Sequence, residues 1–188
     1  MTEIFTYNTE SNIVEKPLEP YGICTEKHPA LHSIIPEYTL PIPNPVINKT
    51  IQRLQLTLRT YSGIGLSANQ CGVYERVMVL GTDHFNLVCI NPKIIWESKE
   101  TEIALENCLS FPGLTLKIER PKEIGVEYLN GSGILESQNF QGVTSRIFQH
   151  QLDILNGILY TSKVGPVALR MAKKKQELII KKTQRKFK

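Results

Sequence analysis

A chain of 188 residues with 41% hydrophobic and 21% charged residues is long enough for one domain with a substantial core and hardly long enough for two. Its four cysteines, Cys24, Cys71, Cys89 and Cys108, are scattered without a CxxC pair, so they read as free thiols or metal ligands in a reducing compartment rather than as a disulfide framework. The net charge of +4 is uneven: residues 163–188 hold ten Lys and Arg against one acid, Glu177, a local charge of +9 that leaves −5 on residues 1–162.

The opening stretch MTEIFTYNTESNIVEK carries acids and no apolar core, so it does not read as a secretory signal. No apolar run approaches membrane-spanning length, which makes a cytoplasmic setting the expectation and a membrane partner unexpected. Residues 1–43 are dotted with proline and poorly periodic, which predicts an extended wrapping segment. Asn44-Pro45 then opens a helix, since Asn caps and Pro suits the first helical position. Ile47, Ile51, Leu54 and Leu58 share one face of it, and Ser62-Gly63 stops it. Strands are predicted over 76–80, 87–96, 114–119, 124–129 and 134–140, with Asn130-Gly131 as the hairpin signal before the last. A central helix is predicted over 144–156, ended by Gly157, and a basic helix follows Pro166. There are no repeats and no low-complexity linker. This order predicts an α+β fold, with an extended segment (1–43), a core (44–165) and a basic C-terminal helix and tail (166–188).

Three segments carry chemistry. In Gly63-Ile64-Gly65-Leu66-Ser67-Ala68-Asn69-Gln70-Cys71-Gly72, small residues admit close backbone approach and Gln70 offers an amide that can donate to a carbonyl. Alone, a glycine-rich turn between helix and strand needs no function. In Glu106-Asn107-Cys108-Leu109-Ser110-Phe111-Pro112-Gly113, a cysteine in a turn can ligate a metal while the next N–H faces a developing oxyanion, although a buried free thiol explains such a cysteine as well. In Gln149-His150-Gln151-Leu152-Asp153-Ile154-Leu155-Asn156-Gly157, a metallohydrolase would place His-Glu-x-x-His, with two imidazoles four apart on one helix face and the Glu as general base. Only His150 is present; Gln151 stands at the base position and Ile154 at the second imidazole position.

In this order and spacing the three segments resemble the peptide deformylase signatures G-x-G-L-A-A-x-Q, E-G-C-L-S and Q-H-E-x-D-H. Arg76-Val77, Asn91-Pro92, Arg120-Pro121 and Gly157-Ile158-Leu159 extend the resemblance over roughly residues 45 to 165, and His28-Pro29-Ala30-Leu31-His32 is similar to phage-encoded members. The resemblance implies a deformylase-like fold, with the motif-bearing helix packed among small antiparallel sheets. It implies removal of the formyl group from N-terminal methionine by water on Fe(II) or Zn(II). It also implies Cys108 and His150 as metal ligands, Gln70 and the Leu109 amide as oxyanion donors, Gly65 as part of the substrate-lining turn, and Glu106 with Arg120 as a brace. Asp153 matches a family position that is not a ligand, and a hydrogen-bonding role is expected for it; His28, His32 and His84 lie outside the motifs.

Ile154 cannot ligate, which leaves two protein ligands, and Gln151 has no useful basicity. Asn107 for Gly and Ser67 for Ala are milder departures. The expectation from these losses is a deformylase-fold protein without deformylase activity, kept as a binding or structural module. It would hold no resident metal, or Fe(II) or Zn(II) only weakly, and would be cytoplasmic, or in the virion if phage-encoded. The expected partners are the ribosome or a larger assembly such as a phage particle, reached through the basic tail, and a formylmethionyl peptide end in the retained pocket. The alternative is an active metal-dependent peptide deformylase with an altered metal site. Nucleic-acid binding by the tail alone has little beyond charge, since one aromatic, Phe187, accompanies the basic residues there.

Overall fold

The structure, a computed structural model, describes residues 17–82 and 85–186. The first sixteen residues of the expected wrapping segment, and His84, lie outside the described residues. The α+β expectation holds: among the described residues, three α-helices accompany a five-stranded and a two-stranded antiparallel sheet.

Helix α1 (Pro45–Thr60) starts where Asn44 accepts hydrogen bonds from the Val46 and Ile47 amides. Its buried Ile47, Ile51, Leu54 and Leu58 pack with Leu66, Val77, Val79 and Ile90. The larger sheet runs in the order β1 (Gly65–Ser67), β2 (Val77–Thr82), β3 (Phe85–Glu97), β6 (Glu123–Leu129), β7 (Leu135–Gln141). Along β3 the register with β6 shifts twice, and Trp96 lies across Gly125, where any Cβ would fall 1.9 Å from the indole nitrogen. The smaller sheet is the ribbon of β4 (Thr101–Glu106) and β5 (Leu116–Pro121).

Two strands were not foreseen. β1 is three residues of the glycine-rich motif, and β4 is rich in Glu, Ala and Leu; both become strands through their partners, with Gly65 opposite Leu80 and Glu102 opposite Arg120. The hairpin after β6 also differs from the two-residue turn that Asn130-Gly131 signals. Asn130 accepts from the Ser132 and Ile134 amides, its own N–H donates to the Ile134 carbonyl, and the positive φ of 79° falls on Gly133. The Asn side chain thus closes a longer loop than the dipeptide alone implies.

Helix α2 (Gly142–Leu155) lies at the centre, in contact with both sheets. Phe148, Leu152 and Leu155 enter a core with Met78, Leu80, Ile124, Val126 and Tyr128, while Ile154 joins Leu31, Cys108, Phe111 and Tyr160 in another cluster. At its end Gly157 takes φ 71° and sits against the His32 carbonyl, 3.1 Å from where a Cβ would lie. Helix α3 (Pro166–Lys186) docks through Leu169 and Ala172, a Gln176 hydrogen bond to the Pro112 carbonyl and a Lys173–Glu26 ion pair. No helix among the described residues is long and apolar enough to cross a membrane.

The described part of the N-terminal segment is tied to the core by side-chain amides. Asn91, at φ 52°, exchanges hydrogen bonds with both backbone groups of Tyr38. Asn69, fully buried, donates to the Ala30 carbonyl at 3.0 Å and the Ile154 carbonyl at 2.7 Å, so one amide joins the first segment, the glycine-rich motif and the end of α2. Asn69→Ala is expected to lower unfolding free energy by about 1–3 kcal/mol, read as a lower urea midpoint with an unchanged slope.

Candidate active site

The glycine-rich motif sets Gln70 in place by local geometry. Ser67 caps a short 3-10 turn, and both its amide and its hydroxyl approach Gln70 Oε1, at 3.0 and 3.1 Å. With the oxygen so held, the amide nitrogen points the other way, toward Cys108 Sγ and Ser110 Oγ, each at 3.4 Å. Ser67, a mild departure from the motif when read as sequence, thus orients the amide. Gly65 is needed where β1 meets α2, since a Cβ there would lie 2.6 Å from Ile147 and 3.1 Å from Gln151 Nε2.

Cys108 is buried in the turn after β4, its carbonyl accepting from the Phe111 amide, while the exposed Asn107 accepts from the Thr115 hydroxyl. The adjacent Leu109 amide takes part in no hydrogen bond among the described residues.

Behind the cysteine lies a buried charge network centred on Glu106. Its Oε1 accepts from Arg120 Nε at 2.6 Å and Arg146 at 2.8 Å; its Oε2 accepts from Arg120 at 3.0 Å and faces His150 Nδ1 at 2.9 Å. Arg120 reaches on to Asp153 at 2.8 Å, which also meets Lys163 at 3.0 Å, so Asp153 has the hydrogen-bonding role expected of it. Burial alone would raise the Glu106 carboxyl, but hydrogen bonds from His150 and Arg120 outweigh it and hold the pKa at about 2. Burial likewise pulls His150 down, and its interactions with Cys108 and Glu106 outweigh that, lifting it to about 9. A carboxylate can only accept, so Nδ1 carries the hydrogen toward Glu106 and the ring orientation is fixed. Arg146 was not singled out from sequence; the available signal was its place four residues before His150, on the same face of α2.

The structure gathers Gln70, Leu109, Cys108, Glu106, Arg120, His150, Gln151 and Ile154 around one place, with Gly65 packed on Gln151. It does not bring in the other histidines: His28 caps the turn Pro29–His32 and His32 contacts the Glu26 carbonyl. A cavity of about 460 Å³ on the other side, lined by Arg76, Gln149, Asp153, Asn156 and Lys163 among others, shares only Arg120 and Asp153 with this site, and its principal cations are already paired. It is not the centre of the chemistry.

Two donors suit a metal: the Cys108 sulfur and His150 Nε2, which is buried and, apart from its interaction with Cys108, without a hydrogen-bond partner among the described residues. The third position is Ile154, an apolar side chain that is 1% exposed. Among the described residues no three His, Cys, Asp or Glu are grouped to hold an ion. A three-ligand tripod therefore does not fit these residues, and no chemical step below is routed through a metal.

A buried thiol, an oriented imidazole and an amide converge beside a glycine-rich strand on an α+β scaffold. The Polypeptide deformylase family matches residues 20–170, and this chain belongs to it. Peptide deformylases from Thermotoga maritima and Fusobacterium nucleatum are 39% and 35% identical, over 69% and 82% of this chain and 79% and 90% of their own length. That of Bartonella bacilliformis is 32% identical over 77% of this chain and 86% of its own. The crystal structure of the Thermotoga maritima enzyme superposes with TM-score 0.74 at 36% identity, covering 78% of this chain and 99% of that one. A Synechococcus elongatus peptide deformylase in complex with actinonin gives 0.79 at 28% identity, covering 94% and 95%.

These relatives correct one expectation. A scaffold that has shed its activity is not what proteins of 32–39% identity, all named peptide deformylase, indicate; they favour an active deformylase.

Replacing Glu106 leaves two arginines and a histidine without their shared anion, so Glu106→Gln is expected to cost about 3–5 kcal/mol of stability. The folded pKa of about 2 lies below the ordinary 4.5, so the carboxylate's contribution is complete above about pH 4.5 and is lost as pH falls toward 2. Urea midpoints measured across that acid range should fall steeply in the native chain and more gently in the variant.

Proposed function

We propose that this chain is a peptide deformylase with an altered metal site, which hydrolyses the formamide of an N-formylmethionyl peptide end to formate and a free amine. The observation that carries this reading is the pre-oriented Gln70 amide beside Cys108 and His150, on a chain whose relatives bear that name. At 3.4 Å the contact from Gln70 Nε2 to Ser110 is long and the one to Cys108 is made to sulfur, a weak acceptor, so exchanging them for a carbonyl oxygen costs little. A carbonyl gaining negative charge is the better acceptor, and the Leu109 amide supplies a second donor from the next turn. Glu106, held by Arg120 and Arg146, keeps the His150 ring turned so that Nε2 faces the reacting side. Cys108 and His150 are the two protein donors that remain for Fe(II) or Zn(II).

The charge layout supports delivery at the ribosome: α3 exposes Arg170, Lys174, Lys175, Lys181 and Lys182, a surface suited to RNA phosphates, with affinity expected to fall steeply with salt.

Formate release from a formylmethionyl peptide, with metal content measured on the same anaerobically purified sample, tests the reading. Turnover should fall by about 10²–10³ in Gln70→Ala. Gln151→Glu combined with Ile154→His should raise it by about 10²–10⁴ and bring metal to one per chain. No formate release from the native chain, with or without added Fe(II) or Zn(II), would overturn it.

A further inference from the structure

The polar groups at the site form a connected series from carboxylate to imidazole to thiol to amide. Glu106 Oε2 faces His150 Nδ1 at 2.9 Å, and a carboxylate can only accept, so in the neutral ring the hydrogen sits on Nδ1 and Nε2 is the acceptor. The Cys108 side chain interacts with that imidazole by hydrogen bonding and by charge, and Nε2 has no other partner among the described residues. The Cys108 sulfur also lies 3.4 Å from Gln70 Nε2, whose oxygen is held by Ser67. A thiol beside an imidazole, with the imidazole oriented by a third group, is the arrangement that activates a cysteine for acyl transfer.

The same residues serve a metal poorly. Ile154 fills the third ligand corner and packs in one apolar cluster with Cys108, and Gln151 is no base. Neither departure touches the carboxylate–imidazole–thiol series. A covalent route needs no third ligand, and its base is residue 150 rather than 151.

We propose that Cys108 is the nucleophile of this deformylase, with His150 as its general base, Glu106 as the positioning residue, and Gln70 with the Leu109 amide as oxyanion donors. The proposal rests on the deformylase reading for its substrate but not for the reactivity of the thiol. His150 Nε2 takes the thiol proton as sulfur bonds to the formyl carbon, and the carbonyl electron pair moves onto oxygen, where the two donors receive it. The C–N bond then breaks, and Nε2 gives its proton to the departing nitrogen. This leaves a free amine and a formyl thioester on Cys108. Water next loses a proton to Nε2 as its oxygen bonds to the formyl carbon. The C–S bond breaks, the proton returns to sulfur, and formate leaves. Water is the only co-reactant, and no group is oxidised or reduced.

Two measurements on the native chain test this. Formate release from a formylmethionyl peptide should continue unchanged after a chelator has removed all detectable metal. Brief treatment with p-nitrophenyl formate, followed by acid quench and peptide mass mapping, should show one added CO on Cys108, removable by hydroxylamine as a thioester is. The adduct should form on buried Cys108 ahead of the more exposed Cys24 and Cys71, since activation rather than exposure decides reactivity. Release that stops with chelator and returns with Fe(II) or Zn(II) overturns the proposal and leaves the deformylase reading standing. Failure of the ester to formylate Cys108 also overturns it. A chain that releases no formate from the peptide yet takes the formyl group on Cys108 sinks the deformylase reading and supports the activated thiol.

Discussion

The placement of the site depends on a carboxylate and a guanidinium buried together. Glu106 closes β4 and Arg120 lies near the end of β5, and their two-pronged contact joins opposite ends of the antiparallel ribbon. A two-stranded ribbon is marginal by itself, so what it rests on decides where it sits. The same Glu106 accepts from Arg146 and meets His150, both on α2, while Arg120 reaches Asp153 one turn further on. Five charged or titratable side chains therefore fix a small sheet against a central helix. Cys108, two residues past Glu106, inherits its position from that arrangement. Ion pairs of this depth stabilise modestly at best once desolvation is counted. Their effect here is orientation, because a carboxylate with both oxygens committed leaves His150 a single ring setting.

The fold was largely legible where the physics is local. Asn44 before Pro45 announces a helix start by its own capping chemistry, and the spacing of Ile47, Ile51, Leu54 and Leu58 announces the buried face. The central helix and the basic helix after Pro166 were visible for the same reason. What stayed hidden depends on partners far along the chain. β4 reads as Thr-Glu-Ile-Ala-Leu-Glu, with little intrinsic preference for a strand, and becomes one only opposite β5. Asn69 is a motif letter until the structure shows its amide joining residues 30 and 154. Arg146 looks like a solvated helix residue until the buried carboxylate it meets is known.

The site shows the same division with a sharper consequence. Motif spacing identified Cys108, His150, Gln70 and the vacant letters at Gln151 and Ile154, and counting those letters led to an expectation of lost activity that the named relatives overturn. Counting treats a motif as one unit, whereas hydrolysis of an amide has separable requirements. Polarising the carbonyl needs donors aimed at the oxygen, and here Ser67 strengthens the aim of Gln70 beyond what its backbone amide alone would do. Delivering water needs acceptors that hold it and something that takes its proton. A missing ligand or base alters affinity and rate; it does not by itself change which bond the remaining groups address.

Ile154 sharpens that distinction. It fills the third ligand position rather than vacating it, and it packs in one apolar cluster with Cys108, Leu31, Phe111 and Tyr160. The Tyr160 ring also stands edge-on to His150 at 5.5 Å, with its hydroxyl committed to the Leu114 carbonyl. Bulk water is thereby kept from the Cys108 side of the imidazole, and in such surroundings each remaining polar contact is worth more than it would be in solvent. A site that has exchanged one donor for hydrocarbon has fewer hydrogen bonds and fewer ligands, and it places correspondingly greater weight on the direction of those it keeps. In this chain those directions are set by Ser67 for Gln70 and by Glu106 for His150.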